Sequence, residues 1–88
     1  MSIESLIGNT PLIKLSDKIY AKVETYNPTG SIKDRMASYI LKKAEEAGEL
    51  RPGSTIVEAS SGNTGIAFSM LAAVKGYGCI IVMPENKS

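Results

Sequence analysis

The chain has 88 residues and a mass of 9.4 kDa, room for one small domain or part of a larger one, but not for two independent cores. At 43% apolar and 22% charged residues it is too apolar for disorder, and ten Lys+Arg against nine Asp+Glu leave a net charge of +1. That balance removes the electrostatic case for a nucleic-acid or membrane-surface partner. A single cysteine, Cys79, cannot form an intramolecular disulfide, and the lack of histidine excludes Ser-His-Asp and Cys-His hydrolase sites and most catalytic zinc sites within these residues. Proton transfer therefore falls to Lys, Asp, Glu, Tyr, water or a cofactor.

The opening residues carry no basic leader followed by a long apolar run, so the expected compartment is the cytoplasm. Residues 11–15 and 19–24 alternate apolar and polar side chains and predict two short strands around a turn at Ser16-Asp17-Lys18. Asn27-Pro28-Thr29-Gly30-Ser31 is dense in loop formers that also cap helices. Beyond it Ile32, Met36, Ile40 and Ala44 recur every four residues with Ala37 and Leu41 beside them, which predicts an amphipathic helix stopped near Ala47-Gly48. Pro52-Gly53 marks a surface connection.

The second half predicts a strand at Thr55-Ile56-Val57-Glu58-Ala59, a small-residue turn through Ser60-Ser61-Gly62-Asn63-Thr64-Gly65, and an apolar helix to about Lys75. A Gly76-Tyr77-Gly78 break and the apolar run Cys79-Ile80-Ile81-Val82-Met83 follow. The run from 66 to 74 is far too short to cross a bilayer. Strand, helix and strand within about 30 residues form a βαβ unit, so the fold class is α/β with a buried parallel strand. Such a sheet lacks enough cover of its own. The expectation is one α/β segment over residues 1–88 that forms the N-terminal portion of a larger fold, with unpaired strand edges favouring a homo-oligomer or a complementing C-terminal chain.

Two places can carry chemistry. The loop at residues 60–65 follows the carboxyl end of a parallel strand and opens a helix, where unpaired amides and the helix dipole receive an anion. Its two glycines allow close approach, and Ser60, Ser61, Asn63 and Thr64 offer hydrogen bonds. Neither phosphate-loop nor dinucleotide spacing is present, and no Lys or Arg stands in the loop, so a carboxylate suits it better than a polyphosphate. A tight turn with a helix cap explains the same residues. Lys33 lies in a first helical turn, where a cation is disfavoured and a neutral, nucleophilic amine is favoured. A solvated lysine neutralised by Asp34 is the alternative. The other lysines, Lys22, Lys42 and Lys75 among them, fit solubilising patterns, with Lys42 paired to Glu45 and Glu46. Cys79 reads as a buried, inert thiol. Tyr26 lines a pocket or packs.

Three segments in this order carry a resemblance over the whole chain: Ile7-Gly8-Asn9-Thr10-Pro11-Leu12; Lys22-Val23-Glu24 leading into Asn27-Pro28-Thr29-Gly30-Ser31-Ile32-Lys33-Asp34-Arg35; and Ser60-Ser61-Gly62-Asn63-Thr64-Gly65. Together they resemble the cysteine synthase (O-acetylserine sulfhydrylase) and cystathionine β-synthase family. These are pyridoxal-phosphate enzymes of the tryptophan synthase β-like fold. The resemblance implies pyridoxal 5'-phosphate as cofactor, no metal, and an amino-acid substrate with sulfide. The implied reaction is β-replacement on an O-acylated serine in cysteine biosynthesis, the work of a transferase with lyase relatives. Serine acetyltransferase is a partner that family members can bind.

By the same resemblance Lys33 is the catalytic, cofactor-attaching lysine and the carrier of the α-proton. Asn63 is the amide that bonds the cofactor's ring hydroxyl oxygen. Ser60, Ser61, Gly62 and Thr64 receive the substrate carboxylate. Ser60 stands where the family usually has Thr, and Ala59 where Pro is common. The cup for the cofactor phosphate and the partner of the pyridine nitrogen lie outside these motifs, so the chain is expected to encode about half a site and to be inactive alone. A non-catalytic interaction module of the same fold is the competing expectation.

Overall fold

The computed structural model describes residues 2–60 and 62–85. Ser61 and the tripeptide Asn86-Lys87-Ser88 lie outside the described residues. A single 3₁₀ turn, Ile3–Leu6, precedes two antiparallel strands, Leu12–Ser16 (β1) and Ile19–Lys22 (β2), which place Leu12 opposite Lys22 and Lys14 opposite Tyr20. The predicted second strand reaches Glu24, but pairing ends at Lys22. The chain instead winds into a 3₁₀ turn at Glu24–Tyr26, where the Asn27 amide donates to the Glu24 carbonyl at 3.1 Å. Pro11 cannot donate to a ladder, so the first strand begins one residue later than its pattern suggests, while its carbonyl accepts from Val23 at 2.9 Å.

Helix α1 spans Lys33–Glu46, strand β3 Thr55–Ala59, helix α2 Asn63–Lys75 and strand β4 Gly78–Val82. Strands β3 and β4 pair in parallel from Thr55 with Gly78 to Ala59 with Val82, with α2 as the crossover, so the expected βαβ unit is present. The two pairs of strands are separate sheets. Helix α2 ends at Gly76, whose amide donates to the Ala72 carbonyl.

Packing departs from the predicted pattern. The core is Ala37 and Leu41 of α1 against Ala67, Phe68 and Leu71 of α2, with Ile7, Met36, Leu50, Ile56 and Met70 around it. Ile32 and Ile40 of the four-residue repeat, and Ile66 and Val74 of the apolar second helix, are exposed although aliphatic helix positions of this kind read as core. The buried stripe of α1 is Asp34, Ala37 and Leu41, shifted around the helix from the four-residue repeat of larger side chains. Strand β4 was expected to be buried on both faces. Only the face of Cys79 and Ile81 turns to α2, while Ile80 and Val82 are exposed beside Val57 of β3. The physical reason is cover: α2 lies on one side of this pair, and among the described residues nothing lies on the other.

The carboxyl ends of the two helices are joined. Lys75 Nζ donates to both Glu45 oxygens at 3.1 and 3.2 Å, Tyr77 hydroxyl donates to Glu45, and Glu4 is 3.2 Å from Lys75. Lys75 is thus a bridge rather than a solubilising charge. Glu45 turns to it instead of to Lys42, while Lys43 pairs with Glu46 at 3.7 Å. With side-by-side packing along their length, joined carboxyl ends place Lys33 and Asn63, the first residues of the helices, at the other end of the pair.

Leu71 is 0% exposed at the centre of this contact. Leu71→Ala should cost about 2–5 kcal/mol in a urea melt, a large fraction of a small domain's stability, whereas Ile40→Ala on the uncovered side should cost less than about 1 kcal/mol.

Candidate active site

Lys33 opens α1 behind a tightly bonded loop. Its amide donates to Ser31 Oγ at 3.1 Å, and the Gly30 amide donates to the Asn27 carbonyl at 2.8 Å. Asp34 is not its counter-ion. The Asp34 carboxyl is fully buried and accepts from the Thr29 amide at 2.7 Å and from the Thr29 hydroxyl. Among the described residues no carboxylate lies within ion-pairing distance of the Lys33 amine, which is partly exposed.

Next to it, Arg35 ties the helix to two earlier segments. Its Nε donates to Glu24 Oε1 and its Nη2 to Glu24 Oε2 at 3.1 Å and Thr10 Oγ1 at 3.2 Å. Glu24 also accepts from the Thr10 hydroxyl and from Asn27 Nδ2 at 3.0 Å, and the buried Asn27 accepts from the Gly8 amide at 2.8 Å. Gly8 has φ +83°, and a Cβ there would lie 3.2 Å from Arg35 Nη1, so only glycine fits without strain. Lys22 donates to the Thr10 carbonyl, a structural role that its strand pattern hides. Hydrogen bonds from Arg35 first, then from Thr10, hold the Glu24 carboxyl down at about 2 against an ordinary 4.5. The same contact raises Arg35.

At the start of α2 the cap position is Gly62, and Ser60, two residues earlier, takes up amides of the first turn. The Ser60 amide donates to the Val82 carbonyl at 3.0 Å, and its Oγ accepts from the Gly65 amide at 3.0 Å and the Gly62 amide at 3.4 Å. The two glycines have different tasks. Gly65 is buried, and a Cβ there would meet Ile81 Cγ2 at 3.3 Å, so its smallness lets the helix sit on β4. Gly62 is exposed with nothing within 4 Å of a Cβ, and it is the open approach. Asn63 is exposed and Thr64 partly so, and among the described residues no acceptor takes their amides. These amides sit at the positive end of a 13-residue helix, an arrangement receptive to a carboxylate.

A cleft of about 330 Å³ opens beside this loop, and Ser60, Gly62 and Gly65 line it together with Ile66, Ile81 and Met83. Cys79 is partly buried with its sulfur 3.9 Å from Ser69 Oγ. Tyr26 is 71% exposed and stands at the rim of a separate hollow with Pro28 and Thr10. Among the described residues no cluster of acidic, cysteine or histidine side chains could hold a metal, and no helix is long and apolar enough to cross a membrane.

Residues 3–88 match the family of pyridoxal-phosphate dependent enzymes, and the chain belongs to it. It is 54% identical to cystathionine beta-synthase of Apis mellifera over 98% of its length and 19% of that protein's. It is 48% identical to cysteine synthase B of Salmonella typhimurium, covering 99% of this chain and 31% of the relative. Its fold superimposes on the crystal structure of O-ureido-L-serine synthase with a TM-score of 0.91 and 46% identity, over 99% of this chain and 29% of that one. The chain therefore spans less than a third of the length of these relatives, and its architecture is that of the tryptophan synthase β-like fold.

The donor set fits the family's cofactor. The Lys33 amine has no counter-ion among the described residues, Asn63 is exposed, and each is the first residue of one of two packed helices. An amine able to meet an aldehyde and a carboxamide able to meet a ring oxygen are therefore both present. Of the predicted carboxylate-binding residues, Gly62 and Thr64 remain accessible, whereas Ser60 Oγ already accepts two amides and keeps only its hydroxyl proton to donate.

Because the Glu24 carboxyl titrates near 2 when folded and 4.5 otherwise, it contributes stability that is complete above 4.5 and lost as pH falls from 4.5 toward 2. Melting temperatures over that window should fall less steeply for Glu24→Gln than for the native chain, with the variant less stable at neutral pH. Parallel pH curves would show that Glu24 does not carry this acid sensitivity.

Proposed function

We propose that these residues are the N-terminal part of an enzyme that performs β-replacement on an O-acylated serine to make cysteine. The observation that supports this reading is that Lys33 and Asn63 are the first residues of two helices packed against each other, in a chain 48% identical to cysteine synthase B. The bare face of the β3–β4 pair and the small share of each relative that the chain spans support a larger fold around it.

Pyridoxal phosphate, when bound, supplies the electron sink that makes the substrate's α-proton removable. Lys33 Nζ is the group that attaches it and then takes and returns the proton at the α-carbon. The Asn63 carboxamide orients the ring through its hydroxyl oxygen. Thr64, the open backbone at Gly62 and the first amides of α2 hold the substrate carboxylate, and the Ser60 hydroxyl adds a donor from beside the cap. Ser61 belongs to the same set by resemblance.

The 54% identity to a cystathionine beta-synthase favours a second reading, in which a thiol amino acid replaces sulfide as the nucleophile. Product analysis with O-acetylserine plus sulfide, against serine plus homocysteine, separates cysteine from cystathionine as the product of the full-length enzyme. In that enzyme Thr64→Ala should weaken amino-acid binding about tenfold while leaving cofactor binding nearly unchanged.

For the 88 residues alone, pyridoxal phosphate followed by borohydride should fix label weakly but preferentially at Lys33. Lys33→Ala should lose that label, and Asn63→Ala should keep it with a shifted absorbance. Cysteine formation should not exceed that of free cofactor. Label spread evenly over the lysines would favour the interaction-module reading, and turnover lost in Lys33→Ala would show that half a site suffices.

A further inference from the structure

Asp34 is the residue whose placement the proposed chemistry leaves unexplained. A carboxyl group removed from water is costly unless hydrogen-bonded, and an acidic residue in a first helical turn satisfies the dipole equally well from the surface. Asp34 is instead 0% exposed, and its two oxygens take the amide and the hydroxyl of Thr29, five residues earlier. This closes a ring from residue 29 to residue 34 that contains Lys33. Within the ring the Lys33 amide is held by Ser31 Oγ at 3.1 Å, and just outside it Arg35 is anchored to Glu24. The backbone of Lys33 is therefore pinned before and after the residue, while its amine has no ion-pair partner among the described residues.

We propose that Asp34 and Thr29 form a positioning clamp that aims the Lys33 amine at the cofactor's aldehyde. The inference rests on the reading of Lys33 as the attachment point and deepens it. The clamp makes no contact with cofactor or substrate; it acts through the direction in which the backbone launches Lys33. Its part in fold stability is separable, because Thr29 lies on a partly exposed loop.

The test maps borohydride-fixed pyridoxal phosphate over all lysines of the full-length enzyme by peptide mass, in parallel with thermal melts. Thr29→Ser keeps the hydroxyl and should keep the native preference for Lys33. Thr29→Val and Asp34→Asn should lower the share of label at Lys33 on the order of tenfold, the effect of one hydrogen bond to a carboxylate. Tyr77→Phe, which loosens the opposite end of the helix pair, should lower the melting temperature without redistributing label. Should Asp34→Asn fail to fold, the Thr29 pair decides alone. Native preference for Lys33 that survives Thr29→Val overturns the clamp and leaves the attachment reading standing. Absence of any preference in the native chain overturns the attachment reading, and the clamp with it.

Discussion

The Glu24 carboxylate is the point on which the amino-terminal half turns. It accepts from Thr10, Asn27 and Arg35, so one side chain joins the arm before β1, the turn after β2 and the first turn of α1. These donors are not interchangeable supports. Asn27 uses its other face to hold the Gly8 amide, and Arg35 reaches Thr10 directly, so loss of Glu24 would leave several partly buried donors without a partner at once. The depressed acidity of Glu24 is the electrostatic trace of that arrangement. Its consequence for the site is geometric, because Arg35 lies two residues after Lys33.

Both helices begin with a side chain bonded across five residues, but with opposite polarity. In α1 the helix residue Asp34 reaches back to the loop at Thr29, while in α2 the loop residue Ser60 reaches forward to the helix amide of Gly65. The first device leaves a lysine side chain projecting from an ordered turn. The second caps some amides and leaves those of Asn63 and Thr64 without an acceptor among the described residues. A basic group thus opens one helix and an anion-receptive end opens the other, each set by short polar contacts rather than by the apolar core that joins the helices further along.

The parts of this arrangement legible in the sequence are those with local causes. The βαβ unit follows from β-branched runs flanking a small-residue turn, and both helices end within a residue or two of their glycines. The three motif segments pointed to the family and, through it, to Lys33 and Asn63. The buried face of α1 was legible only in part: Ala37 and Leu41 are buried as their pattern suggests, but an aspartate also occupies the buried stripe and no periodicity of apolar residues reveals that. Asp34 next to Lys33 reads as a counter-ion, and only three-dimensional packing shows that it serves Thr29. Lys22 and Lys75 likewise look like surface charges, since their partners, Thr10, Glu4 and Glu45, come from distant segments. The shared end of the helix pair depends on the Glu45–Lys75–Tyr77 contact, which no local pattern encodes.

The distribution of burial separates what holds the site from what holds the chain. Among the described residues the buried apolar side chains all come from the two helices, while Val57, Ile80 and Val82 stay uncovered on one face of a parallel pair of the kind that normally lies between two layers. Stability in isolation therefore rests on the α1–α2 seam, on the one face of the β3–β4 pair that α2 covers, and on polar ties at the ends of the helices. The tie at the carboxyl ends joins Glu45, Lys75, Tyr77 and Glu4, and fixes the direction of one helix relative to the other. The ties at the amino ends fix the local backbone at Lys33 and at residues 62–65. Additional cover on the bare strand face would raise stability without moving either amino end, because the contacts that set them lie on loops and first turns and not on that face. The polar contacts at the two amino ends thus lie within these 88 residues, whereas the bare strand face is left to whatever packs against it.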